Sequence, residues 1–176
     1  MQTETRQAKL FRLHCAAVRK RKLIDAVIER LRADLGLYYR AAVAARAEAT
    51  HEQSKAEHKY DTRGLEASYL ARGQSRQVAE IEAAIEKFEK LQLRDFEKAE
   101  PIDMGAVVEL ASGKDRNVYF LGPRAGGTEV VFEKREILVI TPESPLGAQL
   151  MGKKQGEKHR LEIAGQKQEI SIAAVW

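Results

Sequence analysis

Two long apolar seams in this chain can be zipped together in a single register, and that symmetry limits the possible folds more than any other feature. Read backwards from residue 58, one seam runs Ala49, Ala45, Ala42, Tyr38, Leu35, Leu31, Ile28 and Ile24. Read forwards, the other runs Ala67, Ala71, Gln74, Val78, Ile81, Ile85, Phe88 and Gln92. Both alternate steps of four and three residues, the spacing of a heptad seam. Paired in order, from Ala49 with Ala67 to Ile24 with Gln92, they are symmetric about His58. The pattern predicts an antiparallel helical hairpin, a coiled coil over residues 23–97 with its tip near residues 50–66.

The seam changes character along its length. Its base is built from Ile, Leu and Phe, whereas its distal rungs are Ala42, Ala45, Ala49, Ala67 and Ala71. Small seam residues let helices approach closely and bury little apolar area, so the distal half should be slim and the less stable part. From Ile24 to Ala49 the arm should span about 38 Å at 1.5 Å per residue. The conspicuous chemistry sits at its end: His51, Glu52, Glu57, His58, Asp61 and Glu66. None of these has a tight ligand spacing such as His-Glu-x-x-His, so no stable metal site within the chain alone is expected. Asp61 followed by Thr62 suits the N-cap of the second helix. The same carboxylates could instead complete a metal site that a partner supplies, since Mg²⁺ commonly takes one or two carboxylates from a protein.

Composition fits an extended helical element beside a small domain. Charged residues make up 32% of the chain and aromatics 6%, a bias towards exposed helix over a large core. The net charge of +4 is concentrated at the N-terminus, where residues 1–22 hold Arg6, Lys9, Arg12, Arg19, Lys20, Arg21 and Lys22 against Glu4. This basic helical extension lies outside the paired register, and it is expected to fray or to pack on the C-terminal domain. Its charge reads first as a solvated helix face and second as a surface for nucleic acid or an acidic partner. Cys15 is alone, so no disulfide framework is expected and a reducing cytoplasm fits. The apolar run after Lys9 is broken by Arg12 and His14 and followed by basic residues, the reverse of a signal peptide's order. Nothing approaches the ~20 apolar residues of a membrane span. A soluble protein without a membrane partner is expected.

After a short linker, Asp95 to Asp103, the periodicity switches to two-residue alternation. Strands are expected at 106–110, 117–121, 129–132, 137–140, 158–163 and 168–173. The loop from Gly122 to Gly127 has no Lys-Ser/Thr of a phosphate-binding loop and reads as a hairpin turn between the second and third strands. Ser144 is placed to cap a short helix with Pro145 at its first position, ended by Gly152. The fold class is α+β: an N-terminal helical hairpin, then a small antiparallel sheet with one helix over residues 98–176.

Here the residues carry a resemblance. The run Glu143-Ser144-Pro145-Leu146-Gly147, then Leu150-Met151-Gly152-Lys153-Lys154, then Gly156-Glu157 resembles the signature of the FKBP-like C-terminal domain of bacterial GreA/GreB transcript-cleavage factors. A helical hairpin followed by that domain is the Gre architecture, so the resemblance covers the chain from about Ile24 on. The run Asp61-Thr62-Arg63-Gly64-Leu65-Glu66-Ala67-Ser68-Tyr69 is similar to the Gre tip, which has an aspartate, a glutamate three residues on and a nearby Ala-x-Tyr. The resemblance implies a transcription elongation factor, not an enzyme by itself, that binds RNA polymerase as a monomer. It further implies insertion of the hairpin into the secondary channel, where contact with nascent RNA or DNA becomes possible. The tip acids would there help the polymerase's own Mg²⁺ site cut backtracked RNA, so the chain needs no cofactor of its own.

Two departures shape the expectation. The position three residues after Asp61 is Gly64, so Glu66 fills the glutamate's role only with a one-residue gap, and Glu57 is the near substitute on the other side. On one continuous helix Asp61 and Glu66 would lie about 140° apart, poor for one shared ion. Without a competent tip the arm would still occupy the channel, as an inhibitor or pausing modulator. In the C-terminal domain, Glu143, Ser144, Pro145 and Leu146 stand where Gre factors contact a polymerase coiled coil, with Glu143 in place of the usual aspartate. Prolyl isomerisation, the enzyme alternative for an FKBP-like domain, needs an aromatic-floored pocket. The aromatics of 98–176 are Tyr119, Phe120, Phe132 and Trp176, of which Tyr119 and Phe120 face opposite sides of a strand. The reading from another class is a coiled-coil adaptor that binds a different protein or itself.

Overall fold

The computed structural model describes the backbone of residues 6–50, 63–163 and 165–176, and their side chains apart from residues 6–17, 63–64, 67, 161–163 and 166–168. The chain forms two compact units, one of residues 29–86 and one combining residues 1–28 with 87–176.

The first of these is built from two helices, the distal part of α1 (Arg6–Thr50) and most of α2 (Arg63–Glu89). The heptad seam accounts for its burial. Leu31 and Ala45 on α1 and Ile81 on α2 are buried, while Leu35, Ala42, Ala49, Ala71, Gln74, Val78 and Ile85 are half-buried. Ala84, beside the expected seam, is buried as well. Two positions depart from the pattern. Tyr38 lies at the margin of exposure, and α2 ends at Glu89, so Gln92 falls beyond the helix and cannot pair with Ile24.

The other unit holds a six-stranded sheet: β1 (Val107–Ser112), β2 (Asp115–Leu121), β3 (Glu129–Phe132), β4 (Arg135–Ile140), β5 (Lys158–Ile163) and β6 (Gln166–Val175), with α3 (Pro145–Leu150) between β4 and β5. The order across the sheet is β3-β4-β2-β1-β6-β5. Four junctions are antiparallel, as expected, whereas β2 and β4 pair in parallel, with Val118 opposite Ile137 and Leu121 opposite Ile140. The sheet is therefore mixed.

This arrangement corrects the reading of the loop from Gly122 to Gly127. It is not a hairpin turn, because β4 lies between the strands it connects. The hairpin is β3–β4, closed by Glu133 and Lys134 with φ of 49° and 64°. Positive φ at both residues of a two-residue loop is the geometry whose twist matches that of the flanking strands. The longer loop carries the chain past the end of β4, held by bonds from Gly122 N to the Ile140 carbonyl and from Gly127 N to the Val139 carbonyl, each 2.8 Å. Gly122 sits where a Cβ would come within 2.9 Å of the Phe88 ring, so its lack of a side chain lets the last turn of α2 approach the sheet.

Both faces of the central strands are covered, and Val118, Tyr119, Phe120 and Leu121 are accordingly all buried. On one face Tyr119 and Leu121 join Val108, Leu110, Ile140, Ile172 and Leu150 of α3 in the main core. On the other, Phe120 meets Phe88 with ring centroids 6.2 Å apart. Residues 18–28 of α1 belong to this unit, and α1 runs through residue 22 without a break. Its buried stripe is Lys20, Leu23, Ile24, Val27 and Ile28, at the three- and four-residue spacing of an amphipathic helix.

Candidate functional site

The residues singled out in the C-terminal domain come together at the start of α3. Ser144 is its N-cap, with φ −69° and ψ 150°, and its hydroxyl accepts from Gly147 N at 3.1 Å while donating to the Thr141 carbonyl at 2.7 Å. Pro145 occupies the first turn, where its missing N–H costs nothing. Gly147 is required sterically, since a Cβ there would lie 1.9 Å from the Thr141 carbonyl oxygen. At the far end Met151 N donates to the Gly147 carbonyl, and Gly152, with φ +77°, donates to the Ile102 carbonyl at 2.9 Å. Leu150 is fully buried and Leu146 packs partly against the core. The short helix is thus pinned at both ends, leaving Glu143 and Pro145 exposed. The arrangement is a rigid, polar-edged knob with a carboxylate at its rim.

Beside it, Glu157 Oε2 lies 2.6 Å from His159 Nε2, and Lys153 Nζ lies 3.3 Å from His159 Nδ1. The His159 hydrogen bond, helped by a backbone bond to Lys154 and the nearby Lys153 charge, holds the Glu157 carboxyl below the usual carboxylate range.

At the arm, Glu66 lies in the first turn of α2 and is exposed, flanked by the exposed Leu65, Tyr69 and Leu70. Asp61, Glu57, His51, Glu52 and His58, with the expected cap at Asp61-Thr62, lie outside the described residues. Among the described residues no group of three or more His, Cys, Asp or Glu is placed to hold a metal ion, and no helix is long and apolar enough to cross a membrane.

Sequence reasoning did not foresee a second feature, the setting of Lys20. It is 1% exposed, its Nζ donates to the Arg94 carbonyl at 2.5 Å, and it lies 4.6 Å from the centroid of the Phe96 ring. The Arg94 guanidinium stacks on the same ring at 4.1 Å. Burial lowers the Lys20 pKa to about 8, with the Asp95 charge opposing and the Arg94 charge adding to the shift. The available signal was positional. Lys20 lies three, four and seven residues before Leu23, Ile24 and Val27, on the apolar stripe and not on the solvated face to which its charge had consigned it.

A six-stranded mixed sheet with one short capped helix, following a helical hairpin, defines a two-part α+β protein whose C-terminal domain presents that helix start at its surface. Residues 97–176 match the family described as "Transcription elongation factor, GreA/GreB, C-term". The C-terminal domain, residues 97–176, belongs to the GreA/GreB family of transcription elongation factors. Among solved structures it is similar to GreA factor homolog 1 (Gfh1) of Thermus thermophilus, at 25% identity over 86% of this chain and 95% of that one, with a TM-score of 0.35. It is also similar to Gfh1 of Thermus aquaticus, at 23% identity over 86% and 94%, TM-score 0.37. A GreA/GreB elongation factor from Nitrosomonas europaea matches at 15% identity over 63% and 91%, TM-score 0.33. No curated protein matches the chain.

Proposed function

We propose that this elongation factor docks on RNA polymerase through Glu143, Ser144, Pro145 and Leu146 and passes its hairpin into the secondary channel. The observation that carries the reading is a GreA/GreB C-terminal domain following a helical hairpin whose second helix opens with an exposed acid, Glu66. Bound there, the protein acts as a monomer without catalytic groups of its own, and its tip lies close to nascent RNA or DNA. The relevant metal is the polymerase's Mg²⁺, which would activate water for cleavage of backtracked RNA. Glu66 and Asp61 (Glu57 as substitute) supply carboxylate oxygens, the donor class a hard cation takes, in the number it commonly accepts from one source.

Gly64 at the third position after Asp61 favours a second reading, a channel-occupying factor that inhibits or modulates pausing without stimulating cleavage. RNA cleavage in a stalled, backtracked elongation complex separates the two, with wild type, Asp61→Ala and Glu66→Ala compared and polymerase binding followed in parallel. Shortened RNA with wild type, lost in either variant that still binds, supports the metal-completing tip. Binding without cutting supports the inhibitor. Absence of binding refutes both, and points to the coiled-coil adaptor.

A further inference from the structure

On the sheet face opposite α3, the turns of α1 around Arg19 and Leu23 leave a cavity of about 330 Å³. This is the small end of the range of about 300–1,000 Å³ for ligand sites. Its apolar floor is Leu23, Val118 and Ile137, all buried. Phe132 and Trp176 add aromatic surface to the wall.

Two ion pairs edge it. The Arg19 guanidinium grips both oxygens of Glu133, with Nε donating to Oε1 at 3.0 Å and Nη2 to Oε2. Arg135 Nη1 donates to Glu109 Oε2 at 2.7 Å. Each guanidinium carries five N–H donors. One pair therefore uses two of five and the other one of five, so most of the guanidinium N–H groups lie outside the two pairs. Lys20 also lines the cavity, but its ammonium is bonded to the Arg94 carbonyl, so the ligand-facing donors are those of Arg19 and Arg135. Arg19 and Glu133 are both about half exposed, and an ion pair of that kind contributes little, about 0–1 kcal/mol, so an incoming anion displaces it at small cost. Glu109, by contrast, is largely buried and keeps its bond to Arg135, whose other donors the anion takes. The guanidinium donors left over from the ion pairs and an apolar floor with aromatic walls select one chemistry, a planar ring carrying an anionic group.

We propose that this cavity binds a small aromatic anion of the size of a nucleoside monophosphate, the ring against Phe132 and Trp176 and the anionic group on Arg19 and Arg135. The site is separate from α3 and from the hairpin tip, and it does not depend on either function proposed for them.

Trp176 is the chain's single tryptophan, so its fluorescence reports occupancy directly. The full chain is titrated with AMP, and adenosine and ribose 5-phosphate serve as probes of ring and anion alone. The expected result is a saturable change with a dissociation constant below about 1 mM, with both fragments weaker by at least about tenfold, or 1.4 kcal/mol. Arg135→Gln should weaken AMP binding. Glu133→Gln, which removes the competing carboxylate, should tighten it, an outcome that misfolding cannot mimic. The proposal is overturned if AMP causes no saturable change. It is equally overturned if adenosine binds as well as AMP, or if Glu133→Gln leaves the affinity unchanged or lower.

Discussion

Replacing Lys20 by Met tests whether a buried ammonium is a net cost to this fold. Lys20 titrates at about 8 where an ordinary lysine titrates at 10.5. At about 1.4 kcal/mol per pKa unit, the folded state disfavours the charged form by about 3 kcal/mol at neutral pH. Between those two pKa values the unfolded chain keeps its proton while the folded chain has lost it. The unfolded state thus binds more protons, and stability rises with pH. With the penalty full below about pH 8, the gain from about pH 7 to about pH 9.5 comes to about 2 kcal/mol. Burial raises the Tyr119 pKa above 10, so its opposing effect begins only at the top of that window. At neutral pH the Lys20→Met variant should lie near wild type. It escapes the penalty but loses the charged hydrogen bond to the Arg94 carbonyl, about 1.5–3 kcal/mol, and the contact with Phe96, about 1–2 kcal/mol. The decisive quantity is the slope. Urea unfolding followed by Trp176, which lies in the same unit, should show wild type gaining about 2 kcal/mol over the variant across the window. Parallel curves would refute the reasoning, because they would mean that Lys20 keeps its proton in the folded state as readily as in the unfolded one.

Gly147→Ala should cost about 4 kcal/mol or more, because the new Cβ meets the Thr141 carbonyl at 1.9 Å with no flexible group to yield; a thermal melt of the C-terminal unit measures it. Lys134→Gly should stabilise by about 0.5–1 kcal/mol, since φ of 64° strains lysine and not glycine, and chemical denaturation would show a raised midpoint with an unchanged slope. Gln74→Leu should stabilise the hairpin by about 1–3 kcal/mol, because the buried Gln74 Oε1 has no hydrogen-bond partner among the described residues. A helical melt by circular dichroism that fails to move upward would count against that burial.

What could be read from the chain is what repeats or what has a single stereochemical use. The seam was legible because burial follows one period over many turns, so Leu31, Ala45 and Ile81 announced themselves together. Ser144-Pro145 was legible because a hydroxyl cap and a residue without an N–H fit one place in a helix. The sheet order was not legible, since a strand's alternation says which face is buried and nothing about its neighbour. The turn that decides it, Glu133-Lys134, has neither Gly nor Asn to mark its positive φ. The glycines of the preceding loop drew the hairpin reading instead, although Gly122 serves a close approach to Phe88 and not a turn. Glu133 shows why such a signal can be missing. Asparagine or glycine would relax its backbone, but neither could bind both guanidinium nitrogens of Arg19 across the cavity mouth. Where a side chain is kept against its own backbone preference, the reason lies in a partner distant in the chain, here 114 residues away, and local patterns cannot reveal it.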